Sequence, residues 1–191
     1  MIILIDNYDS FTYNIYQAFS QFNYPIKVLR NDKTTLKEIE SLNPSYIIIG
    51  PGPKSPKEAG ISIEIVQKFK GIYPILGICL GHQAILSAFG VEIKNAKNIV
   101  HGKVEPLIHN GKGIFRHISP KTPIARYHSL VGKKEEIPEC FLISGMSEDG
   151  EVMAVEHKQY HLLGMQFHTE SIGIKEGIKM LLNFLHYTRE P

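Results

Sequence analysis

Four times between residues 2 and 90, a short apolar run gives way to a segment with helical spacing, and that rhythm confines the chain to an α/β architecture. Residues 2–5 (IILI) are apolar without alternation, which predicts a strand buried on both faces. Asp9 and Ser10 stand where they can cap a helix whose apolar face is Phe11, Ile15, Ala18, Phe19 and Phe22. After Pro25, the residues Ile26, Val28 and Leu29 read as a second strand. Thr35 and Glu38 have capping-box spacing for a short helix through Leu42. Residues 46–49 make a third strand, stopped by Gly50-Pro51-Gly52-Pro53, and a polar loop leads to a helix with Ile61, Ile65, Val66 and Phe69 on one face. Residues 74–78 are the fourth strand, and 80–89 a helix ended by Gly90. The expectation is a mostly parallel sheet flanked by helices.

Beyond Gly90 the pattern changes. Residues 100–108, 124–131, 140–146, 152–155 and 162–167 are strand-like runs separated by Gly, Pro and Asn. A last helix carries Ile174, Ile178, Leu181, Leu182 and Leu185 on one stripe. There are 191 residues, 43% of them apolar, with no linker, repeat or low-complexity stretch. One domain, residues 1–191, is therefore expected, its latter part adding antiparallel strands. Lys and Arg total 21 against 19 Asp and Glu, a balance that gives no reason to expect a nucleic-acid surface. The nine histidines are scattered outside any HExxH or CxxC grouping, so no metal site is expected. No run approaches the roughly 18 apolar residues of a membrane span. With only Cys79 and Cys140, and a buried strand from the first residues, a reduced cytoplasmic setting is expected.

Gly77-Ile78-Cys79-Leu80-Gly81 lies between a predicted strand and a predicted helix, the pattern of a nucleophile elbow with cysteine in the serine position. Small residues on both sides permit a tight turn that projects the central side chain beyond the sheet. A helix beginning at Leu80 aims unpaired N–H groups and its positive dipole end at the sulfur, which favours the thiolate. It also sets the Leu80 N–H where an oxyanion would develop. A merely structural cysteine in a crowded turn is the competing reading, and the strand–helix context favours the nucleophile. Cys140, inside an apolar run, reads as a core residue.

A cysteine nucleophile needs a base, and the base an orienting partner. His168 and Glu170 follow a buried run two positions apart, so in extended chain both side chains leave on one face. Gly50-Pro51-Gly52-Pro53 ends a strand in the same half of the sheet as the elbow. Gly52 is thus a candidate for bringing a second oxyanion donor to the same edge, a plain turn being the alternative.

These segments together resemble the class I (triad-type) glutamine amidotransferases. More narrowly, the chain is similar to the glutaminase subunits of anthranilate synthase and aminodeoxychorismate synthase. The resemblance is carried by residues 5–14 (IDNYDSFTYN), by Gly50-Pro51-Gly52-Pro53 with Ser55-Pro56 and Ala59-Gly60, and by residues 77–83 (GICLGHQ). His101-Gly102-Lys103, residues 126–131 (RYHSLV) and residues 166–172 (QFHTESI) complete it, in family order and spacing. It implies Cys79 as nucleophile, His168 as base, Glu170 as its partner, and substrate contacts from Gly52, Leu80, Gln83, Ser129 and Leu130. It also implies L-glutamine as substrate, and a partner that receives the ammonia, namely a chorismate-binding synthase subunit. No cofactor is implied in this subunit, and Mg²⁺ is expected in the partner. Two positions depart from the family: Thr169 replaces the usual proline between His and Glu, and Pro53 the usual threonine after the oxyanion glycine. Neither change removes a catalytic group. Rival readings are a stand-alone γ-glutamyl hydrolase on the same scaffold and a non-catalytic binding subunit. The sequence does not choose between the anthranilate and aminodeoxychorismate pathways, and a subunit serving both is compatible with it.

Overall fold

The computed structural model describes residues 1–171 and 174–187, apart from the side chains of residues 98–101 and 103. Ile172, at the end of the His/Glu segment, and the side chains of His101 and Lys103 thus lie outside the described residues. The first half gives β1 (Ile2–Asp6), α1 (Thr12–Ser20), β2 (Ile26–Arg30), α2 (Leu36–Leu42), β3 (Tyr46–Ile49), α3 (Ser62–Phe69), β4 (Ile75–Ile78) and α4 (Leu80–Ala88). The second half gives β5 (Ile93–His109), β6 (Pro123–Gly132), β7 (Phe141–Ser147), β8 (Val152–His157), β9 (Leu162–Met165) and α5 (Gly177–Leu185). All nine strands form one sheet, in the order β2-β1-β3-β4-β9-β8-β7-β5-β6.

The unbroken apolar run of β1 reflects burial on both faces of that sheet. Ile2 and Leu4 pack with Ile15 and Phe19 of α1 and with Leu181 and Phe184 of α5. Ile3 and Ile5 point the other way, against Ile39 of α2, Ile65 and Phe69 of α3, and Ile85 of α4. Each such fully buried aliphatic side chain contributes roughly 1.5–3 kcal/mol relative to exposure.

Local details differ from the sequence reading where tertiary contacts intervene. The α1 helix starts at Thr12, and Asp9 but not Ser10 supports its entry, Asp9 Oδ1 accepting from the Phe11 N–H at 2.8 Å. Thr35 caps α2 by accepting from the Glu38 N–H at 3.1 Å, while the Glu38 carboxylate turns to Thr34 Oγ1 at 2.9 Å, so half the capping box forms. In the last helix Ile174 is buried ahead of the first turn, and Leu182 is 37% exposed instead of lying on the stripe. Cys140 sits at the margin of the core, half-buried, one residue before β7.

One strand decides where the chemistry assembles. β9 belongs to the second half of the chain, yet it pairs in parallel with β4, register Gly77↔Gly164 and Ile78↔Met165, and antiparallel with β8. The residues that follow β4 and those that follow β9 therefore emerge side by side at one edge of the sheet, where crevices form in open α/β folds.

Candidate active site

Cys79 occupies the turn between β4 and α4 with φ +53° and ψ −104°, a conformation that L residues adopt only when their surroundings impose it. The constraint comes from both flanks. A Cβ on Gly77 would lie 2.3 Å from the Gly81 carbonyl oxygen, and one on Gly81 would lie 2.0 Å from that of Ile49. Both glycines are there for close approach, since neither has positive φ. The Cys79 N–H is bonded to the Met165 carbonyl at 2.8 Å, tying the turn to β9, and the Cys79 carbonyl accepts from the Gln83 N–H at 3.1 Å. The first N–H groups of α4, beginning with Leu80, have no intrahelical acceptor.

The loop after β3 closes over this turn. A Cβ on Gly52 would meet Asn7 Cβ and Leu80 Cδ2, each at 2.6 Å, so only glycine lets the loop lie against the elbow. Asn7, at the end of β1, holds it from beneath. Its Nδ2 donates to the Gly50 carbonyl, and its Oδ1 accepts from Asn31 Nδ2 and Ser62 Oγ, all at 2.9 Å. A buried amide with all these bonds made is a rigid support.

His168 and Glu170 meet by a route other than an extended strand. The β9 strand ends at Met165, residues 166 and 167 bend, and 169–170 form a turn. The His168 N–H bonds to the Ala125 carbonyl at 3.1 Å, an isolated antiparallel bridge to β6. A Cβ on Gly177 would lie 1.9 Å from the Thr169 carbonyl oxygen, so the first residue of α5 is packed against the turn. His168 Nδ1 then lies 2.6 Å from Glu170 Oε1, both side chains out of solvent. The carboxylate accepts a hydrogen bond from Nδ1–H, which leaves Nε2 for the sulfur. Phe11 and Tyr127 enclose the imidazole, ring centroids 4.9 and 5.3 Å from it. Burial works against an imidazolium there, but hydrogen bonds to Cys79 and Glu170, and the charges of both, outweigh it and raise the His168 pKa to about 10.

A cleft of about 180 Å³ opens above the sulfur, lined by Cys79, Gly52, Leu80, Gln83, Ser129 and Leu130 together with Pro53, Lys54, Tyr127 and His128. That is below the roughly 300–1,000 Å³ of sites for drug-sized ligands and suits an amino acid. Every substrate-contact residue named from the sequence therefore faces one space, and His168, which bonds the sulfur and Glu170, adjoins it. Four residues without a site role in the sequence reading also converge here: Phe11, which precedes α1 instead of lying on its apolar face, and Tyr127 around the imidazole, His128 on the cleft wall, and Gln166, whose Nε2 lies 3.7 Å from Cys79 Sγ. All four stand inside segments that carry the family resemblance, so the signal was present at the level of the segment but not of the side chain.

Fold and elbow together define an α/β protein built around a cysteine at a strand-to-helix turn, beside a histidine–carboxylate pair. More particularly, the chain belongs to the class I glutamine amidotransferases, whose family model matches residues 3–187. Aminodeoxychorismate synthase component 2 of Escherichia coli K12 is 48% identical over 186 residues, covering 97% of this chain and all of that one. The aminodeoxychorismate/anthranilate synthase component 2 of Bacillus subtilis 168 is 45% identical over 190 residues, covering 100% and 98% of the two chains. Among solved structures, a glutamine amidotransferase from Thermotoga maritima superposes with a TM-score of 0.72 at 17% identity, over 97% of this chain and 80% of that one, a likeness of fold alone.

Proposed function

We propose that this chain is the glutaminase component of a chorismate-aminating synthase, with Cys79, His168 and Glu170 as its catalytic group. The observation that carries the reading is a cleft in which the elbow cysteine meets all five predicted substrate contacts, together with a His168–Glu170 pair at 2.6 Å whose imidazole bonds the sulfur. The Cys79 thiolate attacks the carboxamide carbon of L-glutamine, forming the C–S bond while the carbonyl π electrons move to oxygen. That oxyanion is received by the Leu80 N–H and by the Gly52 loop; one such donor is typically worth about 2.7–4 kcal/mol of barrier. Collapse breaks the C–N bond as His168 gives its proton to the departing nitrogen, leaving ammonia and a γ-glutamyl thioester. Water then attacks the thioester carbon, His168 takes the water proton, and C–S cleavage returns the Cys79 sulfur and glutamate.

The charge balance at His168 suits both halves of this cycle. Before attack its proton is held by Cys79 and Glu170. Once the sulfur is a neutral thioester the Cys79 contributions vanish, and burial pushes the imidazole toward the neutral form that can act as a base.

The relatives named as component 2 of aminodeoxychorismate synthase, or of that and anthranilate synthase, support the reading that the ammonia passes to a chorismate-binding synthase subunit. We assign this chain to either or both pathways. Any Mg²⁺ belongs in that partner, the thioester cycle as written using this chain's own side chains and backbone N–H groups with water. A cytoplasmic location fits, because Cys79 has to stay a free thiol, as it and Cys140 are here.

Trapping the intermediate tests the reading. Acid quench during turnover with glutamine is expected to leave one γ-glutamyl group on the Cys79 peptide by mass spectrometry, and none in Cys79→Ser. A γ-glutamyl group on another residue, or turnover unaffected by Cys79→Ser, would contradict the assignment.

A further inference from the structure

A chain of hydrogen bonds whose directions are forced ends on the nucleophile. The Leu130 carbonyl can only accept, so the Gln83 side-chain atom 3.0 Å from it is the NH₂ nitrogen. That nitrogen lies 3.1 Å from the Gln166 amide, which must present its oxygen in return. With the oxygen committed, the Gln166 NH₂ is the group left facing Cys79 Sγ, at 3.7 Å. Neither amide can flip without setting donor against donor or acceptor against acceptor.

The carbonyl at the head of the chain is fixed from its other side. Arg126 has only donors, so its Nε–H to His128 Nε2 (3.1 Å) leaves Nδ1 as the imidazole's protonated nitrogen, and Nδ1 lies 3.1 Å from the Leu130 carbonyl. Arg126 is fully buried and pinned by Glu105 at 2.6 Å and Glu151 at 2.8 Å. Gln166 has no freedom of its own to turn away: it is fully buried, and its backbone N–H bonds to the Met153 carbonyl at 2.8 Å.

We infer that Gln166 is a further catalytic residue, its side-chain N–H donating a hydrogen bond to the Cys79 sulfur. The bond stabilises the thiolate before attack and again when the thioester collapses and the sulfur leaves. Arg126, His128 and Gln83 are positioning residues for that donor. The inference rests on the proposed role of Cys79 as nucleophile.

The test replaces the donor and keeps the shape. In Gln166→Met and Gln166→Glu, alkylation of Cys79 by iodoacetamide at pH 7 is expected to slow roughly tenfold or more, the effect of losing a hydrogen bond to a charged group. Glutamate release should show a matching fall in kcat, with the KM for glutamine changed less than about threefold. Variants that melt lower but alkylate at the wild-type rate would overturn the inference, leaving Gln166 a packing residue. Should both variants fail to fold, the Gln166 side-chain NH₂ resonances of the wild type and of Cys79→Ala decide. They move if the sulfur accepts from that group, and unmoved resonances refute it. Alkylation reads the sulfur alone, so slowed alkylation in a chain that never hydrolyses glutamine would sink the glutaminase reading and the catalytic role with it, leaving only the Gln166–Cys79 hydrogen bond.

Discussion

At His168 burial and bonding pull in opposite directions, and the residue's behaviour depends on which wins. Burial alone would leave the imidazole neutral, whereas the bonds to Cys79 and Glu170 lift its pKa to about 10. Cys79→Ala removes the sulfur's hydrogen bond and its charge while burial stays, so the titration midpoint of His168 has to move down. Histidine NMR titration of wild type and variant checks this, and an unchanged midpoint would show that Glu170 alone sets the proton affinity. His128 is the opposite case. Burial and the Arg126 charge lower its pKa to about 4, so it is neutral at pH 7 with Nδ1–H toward the Leu130 carbonyl and Nε2 bare toward Arg126. A nitrogen-15 spectrum at pH 7 should show protonated Nδ1 and unprotonated Nε2, and the reverse tautomer would contradict the chain of bonds leading to Gln166.

Among the elements, the turn from β4 into α4 is packed closely on both flanks. Ala at position 81 would drive a methyl to 2.0 Å from the Ile49 carbonyl oxygen, and overpacking of that kind typically costs 1–3 kcal/mol, about the upper end here because backbone must move. Gly81→Ala should therefore lower stability by about 3 kcal/mol and abolish glutaminase activity, because the elbow can yield only by displacing Cys79. Gly90→Ala, with φ +85° and nothing within 4 Å of the new methyl, should cost only about 1–2 kcal/mol of backbone strain and leave kcat unchanged. Urea unfolding with parallel activity assays separates the two; equal losses of activity would mean that stability, not elbow geometry, governs turnover. The elbow was legible in the sequence because the glycines at 77 and 81 are local requirements. The four βα units were legible for the same reason, as runs of IILI type have no other use than burial on both faces. Helix ends were less so. Ile174 and Leu182 fit a helical stripe on paper, but α5 begins at Gly177, where its packing against the Thr169 carbonyl sets the start. The meeting of His168 with Glu170 was anticipated on an extended chain and is achieved by a turn bridged to Ala125, a partner no local pattern indicates.

For the whole molecule, the decisive event is the insertion of β9 beside β4 in parallel, which brings residues 79 and 168 together across 89 positions of sequence. Nothing in the run 162–167 distinguishes a parallel neighbour of β4 from one more antiparallel strand, which is why strand order lay beyond the sequence. The motifs nevertheless named side chains that the fold gathers at one cleft, because they were read from family segments and not from strand order. The sheet makes two contributions to one edge: the parallel half brings the elbow, the Gly52 loop and Asn7, and β6 brings residues 127–130 of the cleft wall. Glutamine hydrolysis by the proposed cycle thus draws on both halves of the chain. The most direct measurement is glutamate release from glutamine by wild type and Cys79→Ala, each with and without a chorismate-binding synthase subunit. Release that requires Cys79 and rises when the partner is added is the predicted result. Complex formation without hydrolysis by the wild type in either state would contradict the account and leave a binding subunit in its place.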